Sequence, residues 1–202
     1  MSRKFGADRG KPIDRYYIDR FLAAHSKDIS GHVLEIGEDT YTRLYGGSRV
    51  SRSDVLHAAS GNAAATIIGN LETGEGVPQN CITCIILTQT YQFIYELRMA
   101  IAVSYQALAS EGVLLATFPG ISPLSRYDVD RWGEYWRLTT LSARKLFSEI
   151  FGEGNVCVQA NGNLFAVIAF LKGMAVEDLR TEELLFHDPD YELLITVRAK
   201  KV

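Results

Sequence analysis

Apolar positions recur along this chain in two alternating spacings, one helical and one of short unbroken runs. Ile13, Tyr17, Ile18, Phe21 and Leu22 follow three- and four-residue steps, predicting a helix from Pro12 to about Ala24. Proline suits that first helical position because its missing N–H is unpaired there in any case. Val33-Leu34-Glu35-Ile36 predicts a first strand that runs into Gly37. A second strand is expected at about Arg49–Asp54, so close behind that the connecting helix must be short or absent. Thr66-Ile67-Ile68 reads as a third strand ending at Gly69-Asn70, followed by a glycine-rich loop from Glu72 to Asn80. Ile82–Leu87 is apolar on both faces, as buried parallel strands are. Ile94, Leu97, Ile101, Tyr105 and Leu108 predict the longest helix stripe, stopped at Glu111-Gly112. Val113–Phe118 is a fifth strand, ended by Pro119. Strands alternating with helices through short links predict a mainly parallel sheet, with right-handed crossovers placing helices on both faces.

Beyond Pro119 the texture changes. Ser122 to Arg137 is long, polar and aromatic, and reads as a loop carrying Trp132 and Trp136. A helix is expected over about Leu141–Phe151, with Thr140 as its N-cap and Gly152 as its stop. Asn155–Ala160 reads as a strand. Asn163 is placed to cap a helix running through Leu171 that is apolar all round and therefore expected to be buried. Tyr191–Val197 is the last strand. Residues 1–10 are polar and expected to be flexible. Residues 11–202 read as a single domain, with a helical insertion at about 161–190.

Composition narrows the class. A chain of 202 residues, 47% hydrophobic and 22% charged, holds enough apolar material for one full core. Its net charge of −3 supplies no basic field for nucleic acid. The opening MSRKFGADRG has no apolar segment of signal-peptide type, and the run Leu164–Leu171 is too short to span a bilayer. Three cysteines make no disulfide framework, and a cytoplasmic protein with reduced thiols is expected. Cys81 and Cys84 lack a second pair and would face opposite sides of a strand, so no metal site is expected; Cys157 reads as a strand or core residue.

Candidate chemistry collects around the first strand. In open α/β sheets, ligands sit beyond the carboxyl ends of the strands, where glycine lets the backbone come close. Glu35 and Gly37 therefore look like a pocket floor, although Glu35 is equally a strand residue awaiting a basic partner. Asp54 and Asn70 stand near the ends of the second and third strands, where each is a pocket residue or ordinary turn chemistry. His57 is a candidate base at the pocket mouth or a plain loop residue. The Tyr127–Trp132 stretch is an acceptor lid with Asp128 or Asp130 as base, or a packed surface loop with both tryptophans buried.

Five segments in this order resemble the class I S-adenosylmethionine-dependent methyltransferases, of the bacterial type-11-like kind, nearly end to end from Pro12. They are Val33–Gly37, Asp54 in Val50–Asp54, Gly69-Asn70-Leu71, Cys84–Leu87 with Thr88-Gln89-Thr90, and Ala107-Leu108 with Glu111–Leu115. Tyr135–Thr139 is similar to a W-R-F-T stretch of many bacterial members. The resemblance implies a Rossmann-like three-layer α/β/α sandwich with a seven-stranded, mainly parallel sheet and an antiparallel last strand. It implies S-adenosylmethionine as donor, S-adenosylhomocysteine as product, and a small-molecule or glycan hydroxyl as acceptor. Asp54 would hold the ribose hydroxyls and Asn70, with Leu71, the adenine. Glu35 and Gly37 would meet the aminocarboxylate end, and Thr88 and Gln89 would line the floor near the sulfonium. Asp128, Asp130 or His57 would be the base for a hydroxyl acceptor. Some relatives are associated with polysaccharide-building glycosyltransferases, so a glycosyltransferase partner or a homodimer is the association implied. The chain departs from the family's G-x-G-x-G run by carrying Asp39 and Tyr41 at the second and third glycines. If Tyr41 fills the donor space, the domain is instead a binding or assembly module.

Overall fold

A computed structural model describes residues 2–202. Seven strands form one sheet: β1 (Gly31–Ile36), β2 (Val50–His57), β3 (Ile67–Ile68), β4 (Ile82–Thr88), β5 (Leu108–Pro119), β6 (Val156–Asn161) and β7 (Leu194–Lys200). Their spatial order is β3-β2-β1-β4-β5-β7-β6. β1 pairs in parallel with both β2 and β4, while β7 runs antiparallel between β5 and β6. The expected α/β/α sandwich with one antiparallel strand is thus the observed fold. Chain order reverses between β1 and β4, which makes the carboxyl ends of those strands the topological switch point.

Period-two alternation explains the layers. Leu34, Ile85, Leu87, Leu114 and Phe118 face α2 (Leu97–Ala107) and α4 (Thr140–Phe151). Val33, Cys84, Ile86, Val113 and Leu115 face α1 (Ile13–Ala24) and α5 (Leu164–Leu171). Tyr91, Phe118 and Phe147 pack ring against ring at the centre of the first layer, with centroids 5.4–6.0 Å apart.

Local chemistry sets most boundaries. Asn163 caps α5: its side-chain oxygen accepts from the Ala166 N–H at 2.9 Å. The cap of α4 is Thr139 rather than Thr140. Its hydroxyl accepts from Ser142 N–H while Ser142 Oγ accepts from Thr139 N–H, a reciprocal capping box. α5 is not buried all round: Leu164, Phe165, Ile168 and Leu171 are exposed, because the sheet covers only its inner face. The chain between β6 and β7 also carries α6 (Thr181–Leu185). The last strand begins at Leu194, three residues later than the apolar pattern suggests. The 122–137 segment is not all loop, since α3 (Arg126–Trp132) forms within it. Trp132 is exposed there, and half-buried Trp136 donates its indole N–H to the Ile94 carbonyl. Residues 2–10, read from sequence as a flexible tail, fold into turns against the body; Phe5 stacks on Phe170 and Arg9 pairs with Asp178. Among the described residues, no helix is long and apolar enough to cross a membrane.

Candidate active site

Beyond the carboxyl ends of β1, β2, β3 and β4 lies a cleft of about 430 Å³. Gly37, His57, Asn70, Leu71 and Gln89, all singled out from the sequence, line it together with Asp128. Gly37 follows the last residue of β1 with φ at +80°, a conformation that glycine adopts without strain. Its N–H donates to the Leu56 carbonyl and its own carbonyl accepts from Asn62 Nδ2 at 2.7 Å, so the turn is tied on both sides. A Cβ built on Gly37 meets no protein atom within 4 Å. The space in front of this turn is therefore open.

The side chains that replace the family's glycines leave that space alone. The crossover after β1 is short and irregular: Thr40 and Tyr41 lead into a helix at Thr42–Gly46, and a turn of 3-10 helix at Gly47–Arg49 follows. Tyr41 packs on the α1 side of the sheet: its hydroxyl accepts from Arg15 at 3.1 Å and its ring stacks on Tyr45. Asp39 pairs with Arg43 one turn on, at 3.0 Å. Neither lines the cleft.

Glu35 lies behind the turn instead of inside the cleft. Its buried carboxylate accepts from the N–H of Tyr41 and from the N–H and hydroxyl of Thr42, the last two at 2.7 Å. Burial pushes its pKa up, and those three hydrogen bonds oppose the rise without cancelling it. Glu35 thus holds the crossover helix by its N-terminus.

Asp54 corrects the sequence reading more sharply. β2 does not end there but continues through buried Val55 and Leu56 to His57. Asp54 sits beside Leu34 in mid-sheet, away from the cleft wall. Its carboxylate accepts from Thr66 Oγ1 at 2.7 Å and meets His32 Nε2 at 2.7 Å and Arg52 Nε at 2.8 Å. Burial would raise its pKa, but the bonds from Thr66, His32 and Arg52 hold it below the ordinary aspartate value. The residue that ends β2 at the cleft is His57. Its Nδ1 lies 2.7 Å from the Ala59 carbonyl, and its ring meets Trp132 edge-on.

The remaining candidates divide. Gln89 takes φ of +49°, and its N–H is anchored to the Thr117 carbonyl and hydroxyl, which aims the loop after β4 at the cleft. Thr88, which pairs with Thr117 in the sheet, lies outside the wall. The Asn70 oxygen accepts from Glu72 N–H at 2.7 Å, an Asx turn that leaves its amide N–H₂ available. Asp128 stands in the first turn of α3, hydrogen-bonded to Ser125 Oγ, whereas Asp130 is exposed and off the wall. Trp132, from the stretch read as a lid, also lines the cleft, as do Glu72 and Phe93, which went unassigned in the sequence. Glu72 carried a faint signal, standing two residues past Asn70 at the strand exit. Among the described residues, no group of three His, Cys, Asp or Glu is placed to hold a metal ion.

No family model matches the chain, and no curated protein matches it in sequence. Solved structures do match in shape. An S-adenosylmethionine-dependent methyltransferase from Mesorhizobium loti superposes with a TM-score of 0.60 at 14% identity, covering 89% of this chain and 95% of that one. A SAM-dependent methyltransferase from Archaeoglobus fulgidus gives 0.55 at 12% identity, covering 93% and 90%. The N-methyltransferase NodS from Bradyrhizobium japonicum, solved with S-adenosylhomocysteine, gives 0.55 at 13% identity, covering 96% and 89%. The chain therefore has the fold of the class I S-adenosylmethionine-dependent methyltransferases.

Proposed function

We propose that the protein is an S-adenosylmethionine-dependent methyltransferase acting on a small molecule or glycan hydroxyl. The observation that carries this reading is the open cleft in front of Gly37, which Tyr41 and Asp39 turn away from. The cleft suits the donor in its chemistry as well as its place. Asn70 and Leu71 would meet the adenine. Glu72, a cleft-wall carboxylate whose Oε1 accepts from Glu96 N–H, would take the ribose hydroxyls in place of Asp54. Gly37 offers backbone to the aminocarboxylate end, and Gln89 lines the floor.

The donor, when bound, supplies a methyl group activated by a sulfonium. The chain's part is to hold the acceptor in line with that group, which accounts for most of the rate in such displacements. A hydroxyl acceptor must lose its proton near the transition state, and Asp128 or His57, both on the cleft wall, would take it. Asp130 is not, being outside the wall.

Ala58, exposed at the cleft rim, gives a clean test. Ala58→Trp is expected to fill the mouth, weakening S-adenosylhomocysteine binding by about tenfold or more with little change in melting temperature. Unchanged affinity in calorimetry would place the donor elsewhere.

A further inference from the structure

Among the described residues, α5 alone of the helices carries no polar or charged side chain. Ala166, Val167, Ala169 and Phe170 turn inward and are buried. Leu164, Phe165, Ile168 and Leu171 take the opposite side, at one-, four- and seven-residue spacing from Leu164, and form an outward stripe. The end of α6 extends that stripe. Asn163, which caps α5, donates its amide N–H₂ to the Glu183 and Phe186 carbonyls, each at 2.7 Å. Those two bonds fix the end of α6 to the start of α5 and set exposed Leu185 and Phe186 at the N-terminal end of the stripe.

The six outward side chains are between 42% and 63% exposed, and none of them lines the cleft. A helix apolar on both faces is stable when both are covered. Together the six present on the order of 500 Å² of apolar surface, toward the upper end of what a monomer leaves open. Pairing the patch with itself about a two-fold axis removes it twice. That is roughly 1,000 Å² from the apolar centre alone, which reaches the size of a specific interface before any rim is counted.

The two ends of the patch carry opposite charge. Lys172 is exposed directly after Leu171, and exposed Glu182 stands one turn before Phe186, at the other end. Arg180 does not cancel Glu182, because it pairs with Glu183 at 2.8 Å. Two copies of α5 packed antiparallel bring each Lys172 toward the other copy's Glu182 and oppose the helix dipoles. A lipid surface fits less well. Helices that lie on membranes carry several Lys or Arg beside the apolar face, whereas Lys172 is the single basic residue between Asn163 and Leu179 in a chain of net charge −3.

We propose that this face is the interface of a homodimer, in which α5 packs antiparallel against α5 of a second copy and Leu185 and Phe186 close the apolar patch. The inference does not rest on the methyl-transfer reading.

The test is sedimentation equilibrium of the full chain, which should give twice the monomer mass at about 10 µM. Phe165→Glu and Ile168→Glu each put a charge into the centre of the patch and should weaken association by about a hundredfold or more. Both side chains point outward, so each variant's melting temperature should match wild type at a dilution where wild type is also dissociated. If one variant fails to fold, the other decides. Lys172→Glu and Glu182→Lys should each weaken the dimer about tenfold, and the double exchange should recover most of that loss. A wild-type monomer at about 100 µM, or a dimer indifferent to both glutamate substitutions in the patch, would overturn the proposal. No recovery in the double exchange would overturn the antiparallel arrangement. A monomer that sediments with phosphatidylserine vesicles, and loses them on Ile168→Glu, would overturn the proposal in favour of a lipid surface.

Discussion

Asp54→Ala is expected to leave donor affinity unchanged within about twofold and to cost the fold about 2–3 kcal/mol. Asp54 is 5% exposed and serves three donors at once. Arg52 is largely exposed and can return to water. Thr66 and His32 cannot do so as easily. Thr66 Oγ1 also accepts from Val55 N–H, so its hydroxyl fixes the exit of β2 to the start of β3. At this chain length the loss corresponds to roughly 4–12 °C in melting temperature. The sign of the pH dependence follows from a lowered pKa. The carboxylate's stabilisation is complete above the ordinary aspartate value of about 3.9 and is lost as pH falls through the lower value of the folded state. Wild type and variant should therefore converge in acid. A tenfold loss of S-adenosylhomocysteine affinity in a folded Asp54→Ala protein would restore the ribose role to this residue.

Gly37→Val should have the largest effect on binding. Valine at φ of +80° is strained by about 1–3 kcal/mol, since a β-branched residue rarely takes that conformation. A Cβ here meets no protein atom within 4 Å, and the residue lines the cleft, so the added bulk is directed at ligand space. It would occupy the place closest to the backbone, and S-adenosylhomocysteine affinity should fall by about a hundredfold or more. Gly37→Ala carries the same kind of backbone strain with less bulk, so it separates the two effects: similar destabilisation, smaller loss of affinity. A folded Gly37→Val protein that binds within about threefold of wild type would show that the ligand does not approach this turn.

The strands that became the sheet were legible because the buried parallel ones are runs of apolar residues on both faces, as Ile82–Leu87 and Val113–Phe118 are, the second stopped by Pro119. The Asn163 cap was legible too, since an asparagine directly before an apolar helix has one obvious use. The errors share a cause. Val50–His57 shows no break at Asp54, and only the carboxylate's partners, 12 and 22 residues away in sequence, show that it belongs to mid-strand. Asp39 and Tyr41 looked obstructive because motif alignment gives position along the chain but not direction. The direction depends on the short irregular crossover that Glu35 holds from behind. α3 escaped notice because Arg126–Trp132 buries no residue and so has no apolar stripe to reveal it.

The central claim is that the turn at Gly37 still admits the donor despite its altered sequence. Calorimetric titration of the unmodified chain with S-adenosylhomocysteine tests it most directly, with a parallel thermal melt. Saturable binding at one site per chain is expected, with about 2.7 kcal/mol of added stability at a hundredfold excess over the dissociation constant. No heat and no shift in melting temperature at millimolar ligand would contradict it, and the fold would then stand as a scaffold without its donor.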